Sequence, residues 1–333
     1  MRKTIEIRRQ PGGVSLFRVL LATLLAGWVL SAVPAGAHQD PEIAGYVKVD
    51  GGRIWYRING ARFLAGPRAP LLFIHGGPGG THRSGMALVR LADERPVILY
   101  DQLDSGNSDH PGKVENWTPS HYVSEITSLR KALGLTRLVI LGHSWGGAVA
   151  ALYAEQRPTG LQAVILSSPL ISTRRWLADA DKWRHALPPA IAETLRRNEK
   201  AGTTNSAAYR AATGEYYARH MCRQDPCPNG QYRAGGPPLN QRLYTTMWGP
   251  SEFYAPGTLK NFDASPGLGK ITIPSLFICG EFDEAAPASC QHFASLIEGS
   301  HSVIIPAAGH ATMAENEALY LRTLRRFLHD NGL

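Results

Sequence analysis

Residues 138–147 read Leu-Val-Ile-Leu-Gly-His-Ser-Trp-Gly-Gly, so a G-x-S-x-G pentapeptide at 142–146 closes an apolar run. Four wholly apolar residues fit a short strand buried on both faces. Residues 148–155, which follow the pentapeptide, are helix-like in composition. A strand that turns sharply into a helix strains the residue at the corner and lifts its side chain to the top of the sheet. Gly142 and Gly146 are small because neighbouring backbone packs close to that corner. Ser144 then stands at a helix N-terminus, which favours negative charge.

Working outward, residues 45–50 and 53–59 read as a hairpin around Gly51-Gly52. Short apolar strands at 71–75, 97–101, 138–142 and 163–167 alternate with helix-like stretches at 85–93, 120–133 and 148–155. Pro119 and Gly134 bracket the second of these helices in the expected asymmetric way. This alternation predicts an α/β fold with a mostly parallel sheet covered by helices on both faces. It stops near Ser168. Residues 170–260 contain no apolar strand run, only helix-like pieces at 174–185, 190–200 and 206–220 and a loop with Cys222, Cys227 and Gly235-Gly236-Pro237-Pro238. It resumes with a strand at 275–279, a helix at 287–297, a strand at 302–305 and a closing helix at 314–328. The expected organisation is one α/β core over 43–169 and 261–333, interrupted by a helical cap at 170–260. An inserted cap covers a site and shapes its pocket.

A serine hydroxyl is a poor nucleophile unless a base takes its proton and an acid orients that base. With this type of nucleophile turn the acid follows a late strand and the histidine comes last. Asp283, in Gly-Glu-Phe-Asp at 280–283, and His310, in Ala-Ala-Gly-His at 307–310, fill those places. Both lie just past strand ends, the edge where open α/β sheets place their sites. Ser144, Asp283 and His310 are therefore the candidate catalytic residues. Acyl transfer also needs N–H donors for the developing oxyanion. Trp145, next to the nucleophile, is one candidate. Gly77, in His-Gly-Gly-Pro-Gly-Gly at 75–80, is the other, because a Gly-rich loop lets backbone amides approach a substrate. His75 and His143 read as packing or hydrogen-bonded supports, since the base is already supplied.

The 333-residue chain carries a net charge of +8. Half of that lies in residues 1–37, where Arg2, Lys3, Arg8, Arg9 and Arg18 precede an apolar run at 19–33 and a small-x-small site at 35–37. This is the pattern of a signal peptide with cleavage before His38. A retained membrane anchor is the competing reading, but a spanning helix needs about 20 apolar residues. The Arg8-Arg9 pair hints at twin-arginine export. The expected location is thus exported, periplasmic or secreted, with no membrane attachment after cleavage. Despite the basic balance no basic run is interleaved with aromatics, so nucleic acid is a poor partner. Export implies an oxidising compartment. Cys222 and Cys227 can then close a local disulfide; Cys279 and Cys290 either pair or remain buried thiols. No second Cys/His cluster has metal-ligand spacing, and the chemistry needs no cofactor.

These residues together resemble the proline iminopeptidase family of the α/β-hydrolase fold. The matching pieces are His-Gly-Gly-Pro-Gly at 75–79, Asp101-Gln102 with Ser105-Gly106, Gly-His-Ser-Trp-Gly-Gly at 142–147, Gly-Pro-Ser-Glu-Phe at 249–253 and Gly-Glu-Phe-Asp-Glu at 280–284. They occur in the family's order. The resemblance implies release of an N-terminal residue, often proline, from a small peptide or amino-acid amide with a free N-terminus. It implies that Glu252 and Glu284 bind the substrate's α-ammonium, a role that charge-assisted hydrogen bonds suit. One departure is visible: Asp104 stands where the family commonly has glycine. Aspartate tolerates a left-handed backbone better than most residues; alternatively its carboxylate sits at the site mouth and alters selectivity. Trp176, Tyr216, Tyr217 and Trp248 either line an apolar pocket or pack in the cap. An esterase or amidase using the same three residues is the competing enzyme. Epoxide hydrolase and dehalogenase relatives carry aspartate where Ser144 stands. A non-catalytic binding protein on this scaffold would typically have lost a triad member.

Overall fold

The computed structural model describes residues 41–228 and 239–333. The expected signal peptide at 1–37 and the Gly235–Pro238 stretch lie outside them. The chain builds one eight-stranded sheet in the order β1-β2-β4-β3-β5-β6-β7-β8. Strands β1 (Ile43–Val49) and β2 (Gly52–Asn59) form the expected hairpin, and β2 also runs antiparallel to β4 (Val97–Tyr100). From β4 onward all pairings are parallel, through β3 (Leu71–Ile74), β5 (Leu138–His143), β6 (Leu161–Ser167), β7 (Ser275–Gly280) and β8 (His301–Ile305).

The central strands are apolar through most of their length because both sheet faces are covered, and alternate side chains feed two separate cores. On one face Leu72, Ile74, Ile140, Val164 and Phe277 pack with α1 (Pro119–Ala132), α2 (Trp145–Ala154) and α7 (Pro287–Ser295). On the other, Leu71, Phe73, Val139, Ile165 and Ile278 pack with the 3-10 helix His82–Asp93 and with α9 (Glu317–Asp330). Thr118 accepts a hydrogen bond from the His121 N–H, and Pro119 fills the first position of α1, which fixes where that helix begins.

Between β6 and β7 the chain forms α3 (Thr173–His185), α4 (Pro189–Ala201), α5 (Ala207–His220) and α6 (Gln241–Met247). Helices α3 to α5 share a small core of Ala180, Leu195, Tyr209 and Tyr216 with Phe253. The short α6 joins the main core instead, through Leu243, Tyr244 and Met247. Two elements differ in form from the sequence reading. The stretch expected as an α-helix at 85–93 is a 3-10 helix, in which Gly85 lies so close to Phe73 that a Cβ there would be 2.3 Å from the ring. The closing helix is broken at Asn316 into α8 (Thr312–Glu315) and α9, and the Asn316 side chain caps the second piece. Both cysteine pairs are bridged, Cys222 to Cys227 and Cys279 to Cys290. Among the described residues no helix is long and apolar enough to cross a membrane.

Leu324 of α9 is fully buried in the second core and lines no part of the cavity onto which Ser144 and His310 open. Leu324→Ala should lower the unfolding free energy by about 2–5 kcal/mol. Denaturant melts should register the loss while turnover per folded molecule stays at the parent value.

Candidate active site

Ser144 is the joint between β5 and α2, with φ 57° and ψ −122°. A non-glycine residue there is strained, by roughly 1–3 kcal/mol. Its neighbours make the corner possible. A Cβ on Gly142 would stand 2.1 Å from the Gly146 carbonyl oxygen, and one on Gly146 would stand 2.0 Å from that of Ile74. The corner is tied to β6 and the segment after it, since Ser144 N–H donates to the Ser167 carbonyl (3.0 Å) and Leu170 N–H donates to the Ser144 carbonyl (3.0 Å). On its other side lies the Gly-rich loop, where a Cβ on Gly76 would be 2.9 Å from Ser144 Cβ. Gly77 in that loop has φ 118°, a conformation left to glycine.

Asp283 and His310 meet over this corner. His310 Nδ1 lies 2.8 Å from Asp283 Oδ1, and a carboxylate only accepts, so Nδ1 carries a hydrogen and Nε2 is the nitrogen left to face the cavity. Asp283 also accepts from Ala285 N–H (2.9 Å), Gly280 N–H (3.2 Å) and the Ser168 hydroxyl. Burial alone would push its carboxyl up. The charge and hydrogen bond of His310, with the bonds from Ser168 and Gly280, outweigh burial and hold it below the usual range. His143 packs its ring 4.8 Å from that of His310, and its Nε2 lies 3.1 Å from the His310 carbonyl oxygen. Burial, then the neighbouring charge of His310, push His143 down to about 4, so it stays neutral.

Ser144 and His310 open onto one cavity of about 380 Å³, also lined by Gly76, Gly77, Tyr217, Tyr244 and Glu252. Glu252 accepts from the Tyr244 hydroxyl at 2.6 Å. Glu284 is fully buried, with Oε1 3.8 Å from His310 Nε2. Among the described residues neither Glu284 oxygen has a hydrogen-bond partner. Burial, then the charges of Glu252 and Asp283, raise the Glu284 carboxyl well above the ordinary range, and burial raises Glu252 as well. Two acidic groups, Glu252 and Glu284, thus interact with each other near His310. That arrangement disfavours two negative charges there and suits a positively charged guest.

Asp104 has φ 64°, the left-handed conformation for which a glycine would otherwise be suited. Its carboxylate is buried, accepting from the Trp117 indole (2.8 Å) and from Gly112 N–H (2.7 Å). It acts as a brace for its own loop rather than as a charge at the site mouth. Of the aromatic candidates, Tyr217 lines the cavity and Trp176 stands edge-on to His310 at 5.5 Å. Tyr216 is buried in the cap core, and Trp248 packs on Trp176. The sequence reading missed Ser168 and Tyr244. Ser168 carries no motif, because only the tertiary path brings β6 beside the turn after β7. Tyr244 lies on a seven-residue helix whose one local signal is Asn240, the residue that caps it.

Comparison with known proteins covers most of this chain. The family model described as alpha/beta hydrolase fold matches residues 69–317. A proline iminopeptidase of Heyndrickxia coagulans is 38% identical over 286 residues, covering 86% of this chain and 98% of that protein. Among solved structures, a proline iminopeptidase of Mycobacterium smegmatis is 34% identical with a TM-score of 0.76, over 87% of this chain and 98% of that one. The structure of VinJ is 32% identical with a TM-score of 0.81, over 87% and 99% of the two chains.

Two predictions come from this geometry. Replacing Asp104 by glycine keeps the backbone conformation but removes a buried and a part-buried hydrogen bond, so Asp104→Gly should cost about 1–3 kcal/mol of stability. The ratio of turnover on different N-terminal residues should not move, and a changed ratio would return Asp104 to the site mouth. The second concerns acid. Burial lowers His75, His143 and His220 from their ordinary 6.5. Between pH 6.5 and about 4 the unfolded chain binds protons that folded His143 refuses, so the His143 contribution to stability falls as the pH falls, while the raised carboxyls of Glu252 and Glu284 contribute in the opposite sense. Urea unfolding of the parent and of His143→Gln isolates the His143 contribution: the stability difference, parent minus variant, should shrink as the pH falls across that window.

Proposed function

Because the chain belongs to the proline iminopeptidase family of α/β hydrolases, we propose that it is a serine aminopeptidase releasing an N-terminal residue, proline foremost, from peptides through an acyl-enzyme. His310 takes the hydroxyl proton of Ser144 as its Oγ attacks the scissile carbonyl. Asp283 orients the imidazole and stabilises the cation that forms. The N–H groups of Gly77 and Trp145 receive the oxyanion. His310 returns the proton to the leaving amine, and then deprotonates the water that hydrolyses the acyl-enzyme.

The observation that carries this reading is the pair Glu252 and Glu284. A buried carboxylate without a partner is costly, and a neutral ester or acyl chain would leave it so. The α-ammonium of a free N-terminus supplies a cation for this pair. We also propose export to the periplasm or the medium, followed by removal of the leader. The composition of residues 1–37 and the two disulfides support this.

Steady-state hydrolysis of proline, alanine and N-acetyl-proline chromogenic amides tests the reading, with Ser144→Ala as the inactive control. The free-amine proline amide should be cleaved and the acetylated one spared. Loss of a charge-assisted hydrogen bond costs about 1.5–3 kcal/mol, so Glu284→Gln should raise KM for the free amine on the order of tenfold to a hundredfold. Equal cleavage of the acetylated amide would make the protein a broader amidase or esterase and remove the carboxylates from substrate binding.

A further inference from the structure

We propose that Gln102 is a positioning residue that holds the two oxyanion donors in register through a single side-chain amide; this rests on the acyl-transfer reading above. Gln102 is fully buried in the loop after β4, outside the cavity lining. Its Oε1 accepts from the Trp145 indole N–H at 3.0 Å. Its Nε2 donates to the His75 carbonyl at 2.8 Å. Its own backbone N–H donates to His75 Nε2 at 3.0 Å. The indole only donates and the carbonyl only accepts, so the group between them must do both at once in one plane. A primary amide meets that demand, and a carboxylate or an apolar chain does not.

The two partners are the places that matter. Trp145 supplies one oxyanion donor and His75 begins the loop that supplies the other. Since His75 Nε2 accepts from Gln102, its hydrogen is on Nδ1, which donates to the Gly76 carbonyl at 2.9 Å. The same carbonyl accepts from Gly80 N–H at 3.2 Å, which closes the Gly-rich turn around Gly77. On the other side the Trp145 ring is clamped edge-on by Tyr122 at 5.7 Å and Phe262 at 6.3 Å. Gln102 is itself fixed from behind, because Ser105 N–H bonds its carbonyl at 3.0 Å and Leu103 N–H bonds the buried Glu125 at 3.0 Å. A relative shift of the loop and the helix start would separate two donors that must converge on one oxygen.

The test uses Gln102→Met, which keeps the chain length and removes both bonds, and Trp145→Phe, which removes the indole donor but keeps an aromatic ring. Substrates are proline p-nitroanilide and p-nitrophenyl acetate; the second has no ammonium, so its result stands whatever becomes of the carboxylate pair. Active molecules are counted by fluorophosphonate labelling. Loss of a whole oxyanion donor costs about 10²- to 10³-fold in kcat, so misaligned donors should cost about 10- to 100-fold in Gln102→Met with KM within about twofold. The double variant should be no slower than Gln102→Met alone, since both changes break the same link. Parent kcat per labelled site in both single variants would overturn the proposal. So would a loss confined to KM or to the labelled fraction, or effects that multiply in the double variant. If Gln102→Met does not fold, parent kcat in Trp145→Phe alone would overturn it. A wild-type protein inactive on both substrates would instead refute the acyl-transfer reading itself.

Discussion

The carbonyl oxygen of Ile74 occupies the space that a side chain on Gly146 would need, only 2.0 Å from where its Cβ would sit. That contact sets how closely the end of β3 and the start of α2 approach, and the site depends on the approach. Ile74 is followed at once by the loop His75–Gly80, so the strand end that presses on α2 also launches the loop against Ser144. The parallel pairing of Ile74 with Gly142 fixes the relative height of the two. The strained serine is the local cost, roughly 1–3 kcal/mol. Burial of α2 offsets it: Val149 and Tyr153 are almost wholly covered, and a fully buried large apolar side chain contributes about 1.5–3 kcal/mol.

Adjacent carboxyls in the turn after β7 show how environment divides like groups. Asp283 receives four hydrogen bonds and lies beside the imidazole, so its ionised form is favoured although it is buried. Glu284 is equally buried and, among the described residues, accepts none, and its proton is retained well above the ordinary range. The one is held as a carboxylate against the imidazole. The other favours its protonated form. Composition does not reveal that distinction; it arises from which backbone amides the turn aims inward.

Much of this was legible in the sequence because burial on both faces leaves a simple mark. Residues 71–74, 97–100 and 138–141 are apolar throughout, and the helices between them have strong capping and stop signals. The turn glycines were legible too, since close backbone contact allows little else. What stayed hidden depended on tertiary contact. In the 3-10 helix His82–Asp93, Gly85 meets the Phe73 ring, twelve positions earlier in the chain, a contact no local pattern announces. Asp104 could be read for its backbone but not for its carboxylate, whose partners Trp117 and Gly112 approach only when the loop is folded. Gln102 sat inside a recognised motif with no role, because its two partners lie on separate elements.

The helices inserted between β6 and β7 do more than roof the cavity. His310 N–H donates to the His220 carbonyl and Ala311 N–H to that of Met221, both at 2.8 Å, so the end of α5 carries the loop that holds the imidazole. His220 in turn bonds the Phe282 carbonyl at 2.8 Å, and the Trp183 indole bonds that of Asp283 at 3.0 Å. The two rings stack at 4.5 Å, which locks α3 to α5 at the point where both reach the core. A Cβ on Gly309 would stand 2.8 Å from the His220 carbonyl, so the glycine before His310 is what lets the two segments meet. The Cys222–Cys227 bridge closes the chain just after α5 and packs on Ala311. Asp283 and His310 are thus each fixed from two sides, by the sheet that launches their loops and by the helices inserted after β6 that receive them. A change in the cap that shifted α5 would reach Asp283 and His310 through backbone hydrogen bonds, without touching a side chain in the cavity.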